Sequence, residues 1–412
     1  MTLQMRISLL QKREPLGRIV EETLSDFWTE AFGIPYELKW TDGIAALRRR
    51  RRHLGQKWNC NQYINSIFIP EIDQAAFGPI RQEFRRSQIP WKRPLQRAYV
   101  WMACHPLLGS ILAGASMEVS PAVPNADSQL IVPGNHKIRI LDHRLGLAYS
   151  ILKSGFDGRF MIRELEAREQ LGMSDLPVPK IREIGAKKNW FSEDYISGTP
   201  INRLVDRRFA KTVELQAIDS ISRLAHATTI EISQSTYVLK SASEACRLLS
   251  QNHLLSDEEK MLWMKVIGSL VSRMEPHWMK SERTMRTSLS HGDFQSGNIL
   301  VEQDRFWLID WEYSSRRQFG YDLLVIALRS RSSKGLASRL MNFVEKGLDP
   351  EFQGKFSTDV FVTKAEREWS VSLFLLEEIL LHLEENDNPR FLRIGDGLIA
   401  VFKEAEHWVR GQ

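Results

Sequence analysis

The sequence predicts an α+β chain: a small antiparallel sheet, then a long, mostly helical region, with a further N-terminal stretch ahead of both. Three observations carry that expectation. Short strand-like runs crowd around one helical pattern between residues 129 and 200. From residue 201 onward, apolar residues recur at three- and four-residue spacing. Only one strongly strand-like stretch, residues 289–312, interrupts that helical half. With 412 residues, 43% of them hydrophobic, the chain is long enough for two or three domains.

Residues 1–119 read as a mixed accessory region of no evident fold. "RIVEETLSDFWTEAF" has helical spacing and "YINSIFIP" is apolar, but no catalytic motif stands out. "LRRRRRH" places five arginines at Arg48–Arg52, most simply a solvated face, otherwise a patch for a protein or anionic partner. The net charge of +5 is a mild basic excess that suits anionic ligands; nucleic acid is not expected. Cys60, Cys104 and Cys246 are too few and too scattered for a disulfide framework or a cysteine zinc site, which points to a reducing cytoplasm. The first residues, "MTLQMRISLLQKREPLGR", are too charged for a secretory leader. "AYVWMACHPLLGSILAGASM" (98–117) lacks Asp, Glu, Lys and Arg, but His105, Pro106 and its glycines dilute it. It reads as a buried helix pair, and no membrane span is expected.

"SPAVPNADS" (120–128) has turn composition and is taken as a boundary, giving a sheet region over 120–200 and a helical region over 201–412. "QLIVPG", "HKIRILD" and "GLAYSILK" predict three strands separated by Gly and Asp turns. "RFMIRELEAREQL" switches to helical spacing. After "LPVPK", the runs "IREIG" and "WFSEDYISGTP" predict two more strands. "QAIDSISRLAHATT", "DEEKMLWMKVIGSLVSRM" and "KAEREWSVSLFLLEEILLHLEE" predict helices of the last region.

The stretch "LSHGDFQSGNILVEQDRFWLIDWE" carries the chemistry. Taking Ile299–Glu302 and Phe306–Ile309 as paired strands leaves Gln303, Asp304 and Arg305 as a three-residue loop. Residue 302 then opposes 306, 299 opposes 309, and Asn298 faces Asp310. Directly opposed residues have Cβ atoms about 5 Å apart. An amide oxygen and a carboxylate at that spacing can share a hard cation such as magnesium, which takes its other ligands from water and phosphate. Asp293, on the loop entering the hairpin, is placed to accept a proton from a hydroxyl nucleophile.

His291-Gly-Asp293, Asn298 five residues after the aspartate, and Ile309-Asp310-Trp311-Glu312 after a hairpin together resemble the aminoglycoside phosphotransferase and choline kinase family, a branch of the protein-kinase-like fold. The resemblance implies a bilobal kinase-like arrangement with a sheet N-lobe and a helical C-lobe. It implies Asp293 as catalytic base, His291 as a brace for the catalytic loop, and Asn298 and Asp310 as magnesium ligands. Glu312 and Asp322 would be supporting positions. "GNH" at 134–136 is also similar to a motif of binuclear metallophosphoesterases, whose preceding aspartate motifs are absent here.

ATP would need a cation on its inner phosphates, and Lys153 ends a strand-like run. Glu164 falls on the apolar arc of its helix, but Glu169 does as well. The family's helix carries Leu seven residues after its Glu, so the resemblance favours Glu164, with Leu171, as partner of Lys153; Glu166 and Glu169 are the fallbacks. "VPGNHKIR" takes the place of the phosphate-covering loop, with backbone amides near Gly134 and Asn135 as the cradle. "FSEDYISG" resembles the interlobe linker, with Asp194, Tyr195 and Ile196 on the adenine edge.

The expected function is ATP- and Mg-dependent phosphoryl transfer to a hydroxyl of a small molecule of aminoglycoside, sugar or amino-alcohol type. The rival reading is a nucleotide-binding regulatory protein with little turnover. Glu377, Glu378, Glu384 and Glu385 read either as attraction for a cationic acceptor or as a solvated helix face.

Overall fold

The computed structural model describes all residues except 1–5, 44–54, 74, 79, 82–90, 106–107, 172–174, 280–281, 333–334, 357–359 and 412. The arginine run Arg48–Arg52 therefore lies outside the described residues. The chain forms two compact units: Gln4–Met161 with Pro179–Ser197, and Ile162–Val178 with Gly198–Gln412.

The first unit is built on one nine-stranded sheet. Its strands are β1 (Glu37–Asp42), β2 (Gln56–Asn61), β3 (Ser66–Phe68), β4 (Ala115–Ser120), β5 (Gln129–Pro133), β6 (Lys137–Asp142), β7 (Leu147–Leu152), β8 (Ile181–Ile184) and β9 (Trp190–Asp194). Their order is β1-β4-β2-β3-β5-β6-β7-β9-β8. The five strands expected between 129 and 200 are all present. The boundary expected at 120 is corrected, because β3 pairs with β5 through Ile67 and Ile131 and carries the sheet across it. An uncovered β5 edge would expose unpaired backbone groups, and the N-terminal strands cover it.

The helix Leu16–Phe32 buries Ile19, Val20, Thr23, Leu24, Phe27 and Trp28, one stripe at helical period, and ends at Gly33 with φ 69°. That stripe touches both halves of the sheet. Trp28 meets Trp58 of β2 at 5.9 Å, while Phe27 meets Tyr149 of β7 at 5.5 Å and Trp190 of β9 at 5.3 Å. One core cluster accordingly runs from Ile7 and Leu10 to Ile138, Ile140 and Ile151. The buried helix pair expected over 98–117 is also corrected. Lys92–Ala103 and the four-residue Gly109–Leu112 are helical, and β4 follows. Leu95, Trp101 and Ile111 are exposed. No helix among the described residues is long and apolar enough to cross a membrane.

The second unit is mostly helical. Its spine is Lys364–Glu385, capped by a reciprocal Thr363–Glu366 box and buried almost throughout from Ser370 to Leu383. The helices Arg207–Ala227, Gln234–Gln251, Asp257–Met274 and Asp396–Arg410 share its core cluster. Residues Ile162–Val178, holding most of the helix Arg159–Leu171, belong to this unit; the sequence placed that helix with the sheet. Two three-stranded sheets complete it. In one, β10 (Thr199–Pro200), β13 (Ile299–Glu302) and β14 (Arg305–Leu308) are ordered β10-β13-β14. In the other, β11 (Ile230–Ser233), β12 (Thr284–Ser290) and β15 (Ser315–Gln318) are ordered β11-β12-β15.

Candidate active site

The loop that follows β12 is shaped by hydrogen bonds to its backbone. Asp322, in the first turn of the helix Tyr321–Ala327, accepts the His291 N–H at 2.7 Å and the Gly292 N–H at 3.0 Å. His291 is fully buried, and burial holds its pKa below the usual histidine value against the raising influence of Asp322, Asp310 and, less, Glu164. Its Nε2 lies 3.0 Å from the Ile309 carbonyl, which can only accept, so Nε2 carries the proton. Nδ1 then accepts the Asp293 N–H at 3.3 Å. A neutral imidazole bonded at both nitrogens braces the loop and has no lone pair left for proton transfer.

Gly292 has φ 84°, and a Cβ built on it would lie inside the Tyr313 carbonyl oxygen and 2.6 Å from Arg317 Nη1. We expect Gly292→Ala to destabilise the protein by about 1–3 kcal/mol, since strain at a left-handed position is added to overpacking. Urea unfolding monitored by fluorescence measures the difference, and an unchanged midpoint would refute the strain.

Asp293 is held on all sides by donors. Arg331 Nε donates to Oδ1 at 2.8 Å. Gln295 Nε2 and Asn298 Nδ2 donate to Oδ2 at 2.7 and 2.8 Å. The side chain is 13% exposed, and Oδ1 keeps a second lone pair. Burial raises the Asp293 pKa above the usual aspartate value, opposed chiefly by Arg331.

Arg331 is the residue the sequence reading missed. Besides Asp293 it binds the Gly292 carbonyl at 2.9 Å and pairs with Glu378, which also accepts from the Tyr321 hydroxyl. Lying 38 residues beyond Asp293 with no motif around it, Arg331 leaves no periodic or spacing signal to find it by.

The hairpin register differs from the expected one. Ile299 opposes Leu308 and Glu302 opposes Arg305, so the loop is the two residues Gln303 and Asp304, with Gln303 at φ 56°. A two-residue hairpin turn needs a positive φ at its first position to match the strand twist, and Gln303 supplies it. Asn298 therefore faces Ile309, whose N–H donates to the Asn298 carbonyl at 3.1 Å, and Asp310 follows one residue later. Asp310 has φ 71°, a left-handed backbone that aspartate tolerates. Asp310 still raises the pKa of Asp293, so its carboxylate lies in the same neighbourhood.

The donor set suits magnesium. Asn298 spends its Nδ2 on Asp293, at the carboxylate and at the carbonyl (2.9 Å), which leaves its amide oxygen as an acceptor. That oxygen and the Asp310 carboxylate are hard ligands for an ion that brings water and phosphate oxygens with it. Among the described residues no group of three or more His, Cys, Asp or Glu is arranged to hold a metal ion, so the pair fits only an ion with such additional ligands. Glu312 is buried, as Asp322 is.

The sheet unit holds the remaining candidates. The Lys153 side chain is fully buried and paired with Glu14, and its Nζ donates to the Asn135 carbonyl at 3.1 Å. Gly134 N–H donates to the Lys137 carbonyl at 2.8 Å, closing the loop between β5 and β6. In the segment expected on the adenine edge, the amides of Asp194 and Tyr195 donate to the carbonyls of Lys180 (3.0 Å) and Gly146 (2.9 Å). Of the three glutamates weighed on the helix Arg159–Leu171, Glu164 is buried, while Glu166 and Glu169 are exposed. The four late glutamates are no solvated face. Glu377 and Glu378 are buried, Glu384 pairs with Arg163, and Glu385 binds His382 and Tyr313.

Residues 188–326 match the choline/ethanolamine kinase family model, a span that takes in His291, Asp293, Asn298 and Asp310. No curated protein matches the chain. Among solved structures, the choline kinase LicA from Streptococcus pneumoniae superposes with a TM-score of 0.44 at 14% identity, covering 69% of this chain and 91% of that one. The ADP-bound aminoglycoside phosphotransferase APH(2'')-Ib gives 0.43 at 15% identity, with 68% and 90% covered. A choline/ethanolamine kinase family protein from Mesorhizobium loti gives 0.40 at 16%, with 76% and 94% covered. Over residues 188–326 the family description agrees with the resemblance read from the histidine–aspartate loop and the hairpin.

Proposed function

We propose that the protein transfers the γ-phosphoryl group of ATP to a hydroxyl of a small molecule of aminoglycoside, sugar or amino-alcohol type, with Asp293 as the general base. The observation that carries this reading is the arrangement around Asp293: a carboxylate with raised pKa, fixed at both oxygens by Arg331, Gln295 and Asn298, and keeping one lone pair open. In the reaction Asp293 takes the proton of the acceptor hydroxyl while that oxygen bonds to the γ-phosphorus. The bond to the bridging oxygen breaks, and ADP departs. Lys153 is the cation for the inner phosphates. Magnesium, held through Asn298 Oδ1 and the Asp310 carboxylate, would neutralise charge on the phosphates. The buried late glutamates give no support to a cation-selective acceptor site, and the family description of the matched span favours amino alcohols first.

The test is an ATP-consumption screen across amino alcohols, aminoglycosides and sugars, with an Asp293→Asn control. Consumption by wild type, dependent on one acceptor class and lost in the control, supports the reading; no acceptor-dependent consumption counts against it. Asp310→Asn keeps a residue suited to the left-handed backbone and removes the charge. We expect it to weaken nucleotide binding about tenfold or more in the presence of magnesium and little in its absence. A thermal shift by Mg-ATP equal to that of wild type would remove Asp310 from the metal site.

A further inference from the structure

The turn joining the first two helices carries two buried charges that phosphoryl transfer as read above does not use. Arg13 ends the helix Ile7–Arg13 and Glu14 follows in extended backbone; they are 3% and 0% exposed. The turn is fixed from both ends, since Ile7, Leu10 and Leu16 lie in the core of the sheet unit. The Ile7 N–H also donates to Asn65 Oδ1 at 2.6 Å.

Glu14 Oε1 accepts from Lys153 Nζ, and both side chains are fully buried. Arg13 Nη1 donates to Asn135 Oδ1 at 3.3 Å, while Lys153 donates to the Asn135 carbonyl. One loop residue is thus held by both cations. Glu14 Oε2 is buried with no hydrogen-bond partner among the described residues.

A lysine buried without a counter-charge would tend to lose its proton, and a neutral amine is a poor phosphate ligand. Glu14 supplies such a counter-charge. A pair kept only for stability would gain by satisfying both carboxylate oxygens or by being replaced with apolar residues. Here one oxygen is left bare beside the cation assigned to phosphate. We propose that Glu14 is a positioning residue for Lys153: it keeps the ammonium charged and directed at the Asn135 loop, so that the N-terminal helical turn is a working part of the nucleotide phosphate site. This inference rests on the phosphotransferase reading and extends it to a segment that the motifs do not reach.

Calorimetric titration of ADP, with magnesium, into the full chain tests it. The variants are Glu14→Gln, Glu14→Asp, Lys153→Met and the double Glu14→Gln/Lys153→Met. Glu14→Gln is expected to weaken ADP about tenfold or more, as truncation of a buried charge pair does, and Glu14→Asp by less. In the Lys153→Met background Glu14→Gln should change nothing further, because Glu14 acts through the lysine. If Glu14→Gln does not fold, Glu14→Asp and the uncharged double variant, compared with Lys153→Met, carry the test. Unchanged or tighter ADP binding in Glu14→Gln, with wild type binding normally, overturns the proposal; tighter binding would make Glu14 a competitor of phosphate instead. A full additional loss in the Lys153→Met background overturns it as well. Absence of ADP binding by wild type itself removes the phosphotransferase reading, and this inference with it.

Discussion

Asp293→Asn is expected to lower kcat by about 10²–10⁴-fold, the range of a lost general base, while changing nucleotide affinity by less than about threefold. The two effects separate because of what surrounds the side chain. Every group bonded to the Asp293 carboxylate is a donor: Arg331 Nε, Gln295 Nε2 and Asn298 Nδ2. An amide in its place presents one oxygen and one nitrogen. The oxygen stays on the Arg331 guanidinium, where a donor would be repelled most. The nitrogen then faces Gln295 and Asn298. Gln295 can turn its amide and become the acceptor there. Asn298 is less free, because its Nδ2 also binds the Asp293 carbonyl. Its oxygen therefore stays available to the metal, and nucleotide binding survives. The proton acceptor does not. Initial rates with the acceptor found in the screen, together with ADP titration, check both halves. Turnover within a factor of about three of wild type would reject Asp293 as the base.

That the loop could be found without coordinates follows from how it works. His291, Asp293 and Asn298 act within eight positions of one another, and the strands around them are fixed by local alternation, so spacing alone brings them close. The hairpin register was not legible. It turns on Gln303 adopting a left-handed φ, which the side chain does not announce as glycine or asparagine would. The nine-stranded sheet was not legible either: β3 and β5 meet through a single residue pair across a stretch of turn composition, and the turn residues are real although no boundary lies there. Arg331 and Glu14 belong to a third kind. Each reaches its partner from 38 and 139 residues away, so only the folded chain makes the contact. Glu164 sits between these cases, since amphipathic spacing left it level with Glu169, and burial in the folded chain separates them.

Arg331→Met should produce the largest loss of stability. Arg331 lies between the Asp293 and Glu378 carboxylates and is the cation paired with both. Burial pushes the Glu378 pKa up, but Arg331, with His382 and Tyr321, brings it below the usual glutamate value. Removing one member of such a group leaves a charge buried without its partner, at about 3–5 kcal/mol. The loss is pH-dependent with a definite sign. A depressed folded-state pKa stabilises the native state above the unfolded pKa, about 4.3 for glutamate, and that contribution disappears as pH falls through the folded value. Without Arg331, the largest influence opposing burial at Glu378 and Asp293 is gone, both pKa values rise, and the variant gains relative stability by taking up protons as the pH falls. The Tm difference from wild type should therefore be greatest near neutral pH and shrink toward about pH 5. Catalysis moves the same way. The base must be ionised, so the acid limb of kcat/KM lies above the usual aspartate value in wild type, and it should shift to still higher pH in the variant. A Tm difference that is flat with pH would mean that Arg331 contributes packing alone, and an unmoved acid limb would separate it from the titration of Asp293.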